Sequence, residues 1–324
     1  MNDHSTTTAR DPSGGTCVFV VGMHRSGTSA VAGMLAQLGI RGPSDEDLIP
    51  ATSSNQHGHF ESKTLTRVDN QLLHILGGTW SAPPSLEPGW EWGREITAVQ
   101  GSAHQAFHST FPARPMVWKD PRNCIVLPFW RSVLAPPFAA VFVYRDGLEV
   151  AHSLQARDHL TLTHGLALWE RYLRSACAGL DGVPTFVAEY GRLLEDPVST
   201  CRSLVGFLSD VGIDVDRARA RTAVDSLDAG LRHRGTPSHE QAGITANQRD
   251  LLALMHPLAG PHHPWRSPDL GREAPWVEDF LSLRRDYEVL NRQIRSSRAM
   301  RLVETWWKVR GIRRSSPAGD GGDA

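Results

Sequence analysis

Apolar positions in this chain fall into two rhythms, one of short strands and one of helices. Cys17–Val21 (CVFVV) is a charge-free run with β-branched side chains, which predicts a buried strand. The run breaks at Gly22-Met23-His24-Arg25-Ser26-Gly27-Thr28-Ser29. Val31, Met34, Leu35 and Leu38 then recur at helical spacing, and Gly39 stands where a C-terminal cap belongs. Residues 41–60 hold many turn formers and few apolar positions, so a loop is expected. A helix is expected to begin within Asn55–Glu61 and to run through Leu65, Val68, Leu72, Leu73 and Leu76, with Glu61 in its first turn. Met116-Val117-Trp118, Phe138–Val143 and Val183–Ala188 read as further strands. Helices follow over about Thr163–Ala178, with Leu166, Trp169, Tyr172 and Leu173 on one face, and after Pro197, with Leu204, Val205, Phe207 and Leu208. Residues 256–278 read as loop, and helical periodicity returns from about Val277 to Arg314.

Strand, loop, helix and then further strand–helix units predict an α/β domain with a parallel sheet flanked by helices and a C-terminal helical tail. The expected division is a disordered leader over 1–16, the domain over 17–275, a basic amphipathic helical tail over 276–314, and a disordered end over 315–324. Composition narrows the function classes. The chain has 324 residues, with 34 Lys and Arg against 35 Asp and Glu, so as a whole it is no electrostatic binder of nucleic acid. Cys17, Cys124, Cys177 and Cys201 are far apart, form no CxxC pair and lie in apolar surroundings, which suits reduced, buried thiols and a cytoplasmic location. The polar start reads as no signal peptide, and no apolar run is long enough to span a bilayer.

The candidate chemistry begins in the first loop. A strand feeding a glycine-bearing loop and then a helix is the geometry of a phosphate cradle, because the first helical N–H groups lack partners and the helix dipole adds positive charge there. The spacing Gly22…Gly27 is that of a Walker A loop, but Thr28-Ser29 follows where Lys-Ser/Thr is required. The cation sits inside the loop instead, at Arg25. Two further strand ends carry cations: Lys119-Asp120-Pro121-Arg122 after the second strand, and Tyr144-Arg145-Asp146-Gly147 after the third, with Ser153 eight residues beyond Arg145. Ligands of open parallel sheets bind at these strand ends. Asp120 has either Arg122 or Arg25 as a structural partner. Trp80, Trp90 and Trp92, interleaved with prolines, suit either loop packing or stacking on an acceptor.

Together these loops resemble those of the sulfotransferases that use 3′-phosphoadenosine 5′-phosphosulfate (PAPS). Arg25-Ser26-Gly27-Thr28-Ser29 is similar to the family's 5′-phosphosulfate loop, and Arg145 with Ser153 to its 3′-phosphate grip. Asn55-Gln56-His57-Gly58-His59-Phe60-Glu61 and the Lys119 segment resemble stretches of the bacterial members. Tyr190, in Glu189–Pro197, matches a tyrosine near the adenine and is equally plain as a core residue, while Arg232 lies in a basic loop loosely similar to one over the 3′-phosphate. The resemblance covers about Val18 to Gly235. It implies a P-loop-like sulfotransferase fold and transfer of a sulfuryl group from PAPS to a hydroxyl of a glycan, glycolipid or other small-molecule acceptor. It assigns Glu61 as base, Arg25 and Lys119 as stabilisers of the leaving group, and Arg25, Ser26, Gly27, Thr28, Ser29, Arg145, Ser153, Tyr190 and Arg232 as cofactor contacts. No metal is expected, since His57, His59 and Glu61 are spaced unlike any common ligand set.

Two alternatives stay open: a divergent P-loop kinase or nucleotide hydrolase, weakened by the missing Walker lysine, and a nucleotide-binding protein without catalysis. The end of the chain carries Arg295, Arg298, Arg301, Lys308, Arg310, Arg313 and Arg314 against Glu304, with Trp306 and Trp307. It reads as a segment lying on an anionic membrane surface, at the inner face of the membrane, or as a solvated docking helix.

Overall fold

The computed structural model describes residues 15–50, 60–113, 115–227 and 243–297. The expected site residue Arg232, together with His57, His59 and the basic segment from Arg298 onward, lies outside the described residues.

Five strands form one sheet in the order β2-β1-β3-β4-β5: β1 Cys17–Val21, β2 Met116–Lys119, β3 Phe138–Tyr144, β4 Thr185–Glu189 and β5 Gly260–His262. The first four are parallel, and β5 is antiparallel to β4. β1 shows why such strands read as unbroken apolar runs. Cys17, Phe19 and Val21 pack on one face with Trp118, Phe142 and Trp169, while Val18 and Val20 pack on the other with Val31, Leu35, Val141 and Phe207. Both faces are covered, so alternation disappears.

Twelve α-helices flank the sheet among the described residues. In chain order they are α1 Thr28–Gln37, α2 Lys63–Ile75, α3 Arg94–Thr97, α4 Gln100–Thr110, α5 Asn123–Val133, α6 Gly147–Asp158, α7 Leu162–Gly179, α8 Tyr190–Glu195, α9 Pro197–Asp210, α10 Ala220–Asp225, α11 Ala246–Met255 and α12 Pro275–Ser296. The apolar pattern placed most of the longer ones, and Gly39 takes the left-handed conformation (φ 93°) that a residue beyond a helix end needs.

Three local readings change. α2 starts at Lys63, so Glu61 precedes the helix and is not in its first turn. Ser62 takes the cap, its Oγ accepting from Leu65 N, and Phe60 is in the left-handed region (φ 57°), which breaks any earlier turn. Asp47 holds this corner from outside, accepting from Ser62 Oγ and from Thr64 N and Oγ1. β4 starts at Thr185 and not Val183, because Val183 N closes a turn onto Leu180 O and Pro184 has no N–H to donate. The stretch 256–278 contains the edge strand β5, invisible to periodicity because its sequence is Gly-Pro-His. Trp265 anchors it, fully buried, donating Nε1–H to Cys177 O at 3.0 Å. Proline is tolerated there because an edge strand need not donate on its outer side.

The expected boundary between domain and tail, 275/276, falls at the start of α12. That helix buries Val277 and Leu281 against the body. All four cysteines are buried thiols outside any disulfide. No described helix is long and apolar enough to cross a membrane.

Candidate active site

The loop between β1 and α1 is built by close approach. A Cβ on Gly22 would stand 2.3 Å from Val143 O and 2.7 Å from Thr28 Cγ2, so no larger residue fits there. Gly27 has φ 93°, and a Cβ on it would meet the Tyr190 ring at 2.1 Å. Tyr190, nearly buried, thus forms the floor of the loop. Ser26 and Thr28 are buried within the loop and Ser29 is half-buried at the start of α1, where no described side chain caps the helix. The turn closes through Ser26 N–H to Met23 O (3.1 Å) and Val31 N–H to Gly27 O (3.2 Å).

Arg25 also has a left-handed backbone (φ 69°), uncommon for a residue with a side chain and a hallmark of sites where the surrounding structure imposes it. Its Nε donates to Ser153 Oγ at 2.8 Å. Arg145, at the end of β3, donates Nη1–H to the carbonyl of Arg25 (3.2 Å) and Nε–H to Glu149 Oε2 (2.6 Å), and its guanidinium lies 5.0 Å from the Tyr190 ring centre. Asp146 caps α6 by accepting from Leu148 N and Glu149 N, and Trp169 Nε1–H fixes Arg145 O. Residues 128 positions apart therefore share one small region. Burial lowers the pKa of Arg25, and the neighbouring Arg157 and Arg145 lower it further while Asp158 opposes them. Three guanidiniums thus lie near the loop, Arg145 paired with Glu149 and Arg157 with Asp158 (2.7 Å), and their combined charge favours an anion beside Arg25.

A second cluster stands beside it, since Lys119 is in register with Val20, one residue before the end of β1. Lys119 Nζ donates to Glu61 Oε1 at 2.5 Å, and Arg122 Nη1 lies 3.9 Å from Glu61 Oε2; all three residues are buried. Asp120 pairs with Arg122, not Arg25: it accepts from Arg122 N (2.8 Å) and Nη1 (3.1 Å), and from Thr66 Oγ1 (2.8 Å). Arg122 Nε–H goes to Asn70 Oδ1 at 2.7 Å. Two cations therefore flank the two oxygens of the buried Glu61 carboxyl. Below lies Asp69, fully buried, which accepts from Trp130 Nε1 (2.7 Å) and whose other oxygen has no hydrogen-bond partner among the described residues. Burial, and after it the negative charge of Asp120, push the Asp69 carboxyl well above the usual carboxylate range.

Thr66, Asp69 and Asn70 escaped the sequence reading. Their signal was a polar i, i+3, i+4 set on a helix whose neighbours Leu65, Leu72 and Leu73 are core. Of the three tryptophans, Trp80 reaches the loop: its ring is 4.8 Å from that of His24, and its carbonyl accepts from Tyr172 OH (2.8 Å). Trp90 packs on the core, while Trp92 is 63% exposed. Among the described residues no group of three or more His, Cys, Asp and Glu is arranged to hold a metal ion.

The chain matches no protein-family model and no curated protein sequence. Among solved structures it is similar to the sulfotransferase domain from the Synechococcus PCC 7002 olefin synthase, with 16% identity, a TM-score of 0.38, and coverage of 83% of this chain and 93% of that one. It is similar also to the sulfotransferase domain from the curacin biosynthetic pathway, with 13% identity, a TM-score of 0.46, and coverage of 74% and 97%. Both are sulfotransferase domains. At these scores the similarity itself decides nothing about the chemistry.

Proposed function

We propose that this protein is a PAPS-dependent sulfotransferase acting on a hydroxyl of a glycan, glycolipid or other small molecule. The observation that carries the reading is the joining of the two phosphate motifs. Arg25, in the loop at the α1 start, is bonded to Ser153 and held at its carbonyl by Arg145. A co-substrate with a 5′-phosphosulfate and a 3′-phosphate carries two anionic groups, and this region offers crowded guanidiniums, an uncapped helix start and hydroxyls for both. PAPS, when bound, supplies the sulfuryl group and departs as adenosine 3′,5′-bisphosphate.

The chain's own residues divide the remaining work. Arg25 and the backbone N–H groups of the loop offset charge on the leaving phosphate. Lys119, at the adjoining strand end, adds to that field and holds the Glu61 carboxyl in place. Glu61 takes the proton from the acceptor hydroxyl as its oxygen attacks. Arg145 and Ser153 hold the 3′-phosphate, the feature that separates PAPS from ATP. Tyr190 shapes the floor and excludes water.

Isothermal titration calorimetry with adenosine 3′,5′-bisphosphate and, separately, ATP with Mg²⁺ tests the reading. Tight binding of the bisphosphate and weak binding of ATP are expected; preference for Mg²⁺-ATP overturns it. Turnover of PAPS against a panel of hydroxyl acceptors then separates an enzyme from a binder.

A further inference from the structure

Helix α12 is apolar on two opposite sides, and among the described residues only one of them packs on the rest of the chain. Its inner side buries Val277 and Leu281, sends Arg285 Nη1–H to Pro83 O (2.8 Å), and presents Glu288 to the hydroxyls of Thr79 and Ser81 (2.9 Å each). Leu283, Tyr287, Leu290 and Ile294 are exposed by 69, 54, 54 and 51%. With about 100° of turn per residue, these four project at about 180–240° from Leu281. Their spacing of 4, 3 and 4 is that of alternating a and d positions in a heptad repeat, with Tyr287 and Ile294 at a and Leu283 and Leu290 at d.

We propose that this outer seam is the contact between two copies of the chain, arranged as a short parallel coiled coil. The flanking charges select the occupant and its direction. In this phase Asp279 and Asp286 are at g, and Arg284 and Asn291 at e. In a parallel pair g faces e′ of the next heptad, five residues on, so Asp279 meets Arg284 of the partner and Asp286 meets Asn291. An antiparallel pair would set acid against acid. Neither Asp279 nor Arg284 has an ion-pair partner among the described residues; Arg284, half-buried, lies with its guanidinium 5.1 Å from the Tyr287 ring centre, at the edge of the seam. A lipid surface suits the seam less well, because anionic headgroups would meet Asp279 and Asp286, both exposed.

The inner contacts of α12 centre on Leu281, opposite the seam, while Phe280, the a position one heptad before Tyr287, already packs on His164, so the open seam runs from Leu283 to Ile294. Two such faces bury roughly 1,000 Å², at the low end for a specific contact. An isolated helix this long would be marginal, but here α12 is already held by Arg171, which binds Glu273 and Glu278 at 2.6–2.8 Å. Its ordering cost falls on folding, not on association.

Sedimentation equilibrium of the full chain over a concentration series tests the proposal, with circular dichroism confirming that each variant is folded. A reversible dimer is expected, and Leu283→Glu with Leu290→Glu should leave only monomer. Asp279→Arg or Arg284→Asp should each weaken the dimer about tenfold through paired attractions turned to repulsions, and the double exchange should restore it. Leu290→Cys should cross-link to itself on mild oxidation, since d faces d′ only in a parallel, in-register pair; the native cysteines are buried. Monomer at every concentration up to about 0.5 mM overturns the proposal. So does a dimer indifferent to the Leu283/Leu290 variant, a charge exchange that fails to restore, or a dimer whose Leu290→Cys form does not cross-link. Seam-dependent binding of the monomer to vesicles of anionic phospholipid would assign the face to membrane instead.

Discussion

Arg145 serves two partners, a backbone carbonyl in the first loop and, in the proposed reading, the 3′-phosphate. Arg145→Ala should therefore weaken adenosine 3′,5′-bisphosphate by about 1.5–3 kcal/mol, the worth of a charge-assisted bond. AMP should lose clearly less, and calorimetry with both ligands reads the difference; equal losses would mean that Arg145 only props the loop. For Glu61, Glu61→Gln should leave bisphosphate affinity nearly unchanged while single-turnover transfer to an acceptor found by screening falls by roughly 10²–10⁴. Asp120→Asn acts differently. It leaves Arg122 buried without its main counter-charge, so unfolding stability should drop by about 3–5 kcal/mol. Activity that survives Glu61→Gln but not Asp120→Asn, in folded protein, would move the base away from Glu61. Asp69 supplies a pH signature. Its folded pKa is raised by burial and by Asp120, so the native state holds a proton that the unfolded chain releases. Its stabilising contribution is complete below the ordinary carboxylate pKa and is lost as pH rises through the elevated one. Asp69→Asn keeps the acceptor for Trp130 and removes the titration. The melting temperature of the variant should therefore fall less than that of wild type as pH rises above the ordinary carboxylate pKa.

Single elements matter here mainly through their ends. α1 presents an uncapped start to the loop, α2 starts at the Ser62 cap just after Glu61, and α6 starts at Asp146 just after Arg145. Arg25, Glu61, Lys119 and Arg145 thus sit at a strand end or beside a helix start, where backbone geometry fixes their position, whereas Ser153 lies about two turns into α6. Gly27 is the tightest point, combining positive φ with contact against the Tyr190 ring. Gly27→Ala should displace one or the other, so bisphosphate binding should fall at least tenfold while α1, packed through Val31, Met34 and Leu35, stays folded. Calorimetry together with far-UV circular dichroism checks both halves of that statement.

At the scale of the molecule, α12 is tied to the site by a chain of contacts. Arg171, buried on α7, binds Glu273 and Glu278 and reaches Pro83 O, and Arg285 of α12 shares Glu278 and Pro83. The segment so held, 79–83, brings Trp80 against His24 of the loop. Ending the chain at Arg272 would strip Arg171 of both carboxylates and leave a buried cation uncompensated, at about 3–5 kcal/mol. Such a chain should melt well below the full one, whereas ending it after Ser297 should leave melting and bisphosphate binding unchanged. Scanning calorimetry of the three lengths compares them.

Much was legible in the chain itself. Cys17–Val21, Phe138 and the helical periodicities are local properties, set by which side chains must leave water, and they determined the sheet-and-helix class. The glycine-bearing loop with Arg25, and the Arg145–Ser153 spacing, were equally local, because a turn, a strand end and two helical turns fix them within a dozen residues. What only the tertiary structure decided was pairing across distance. That Lys119 would meet Glu61, that Asp120 would choose Arg122, and that Gly-Pro-His would become an edge strand depend on which segments the sheet order brings together. The helix start at Lys63 likewise followed from Asp47 reaching Ser62, a contact across fifteen residues. Buried charges such as Asp69 look in sequence like polar interruptions of a helix. Only a fold that surrounds them with Trp130, Asp120 and Arg122 gives them a role, because a charge in a low-dielectric interior is defined by its neighbours and not by its own residue type.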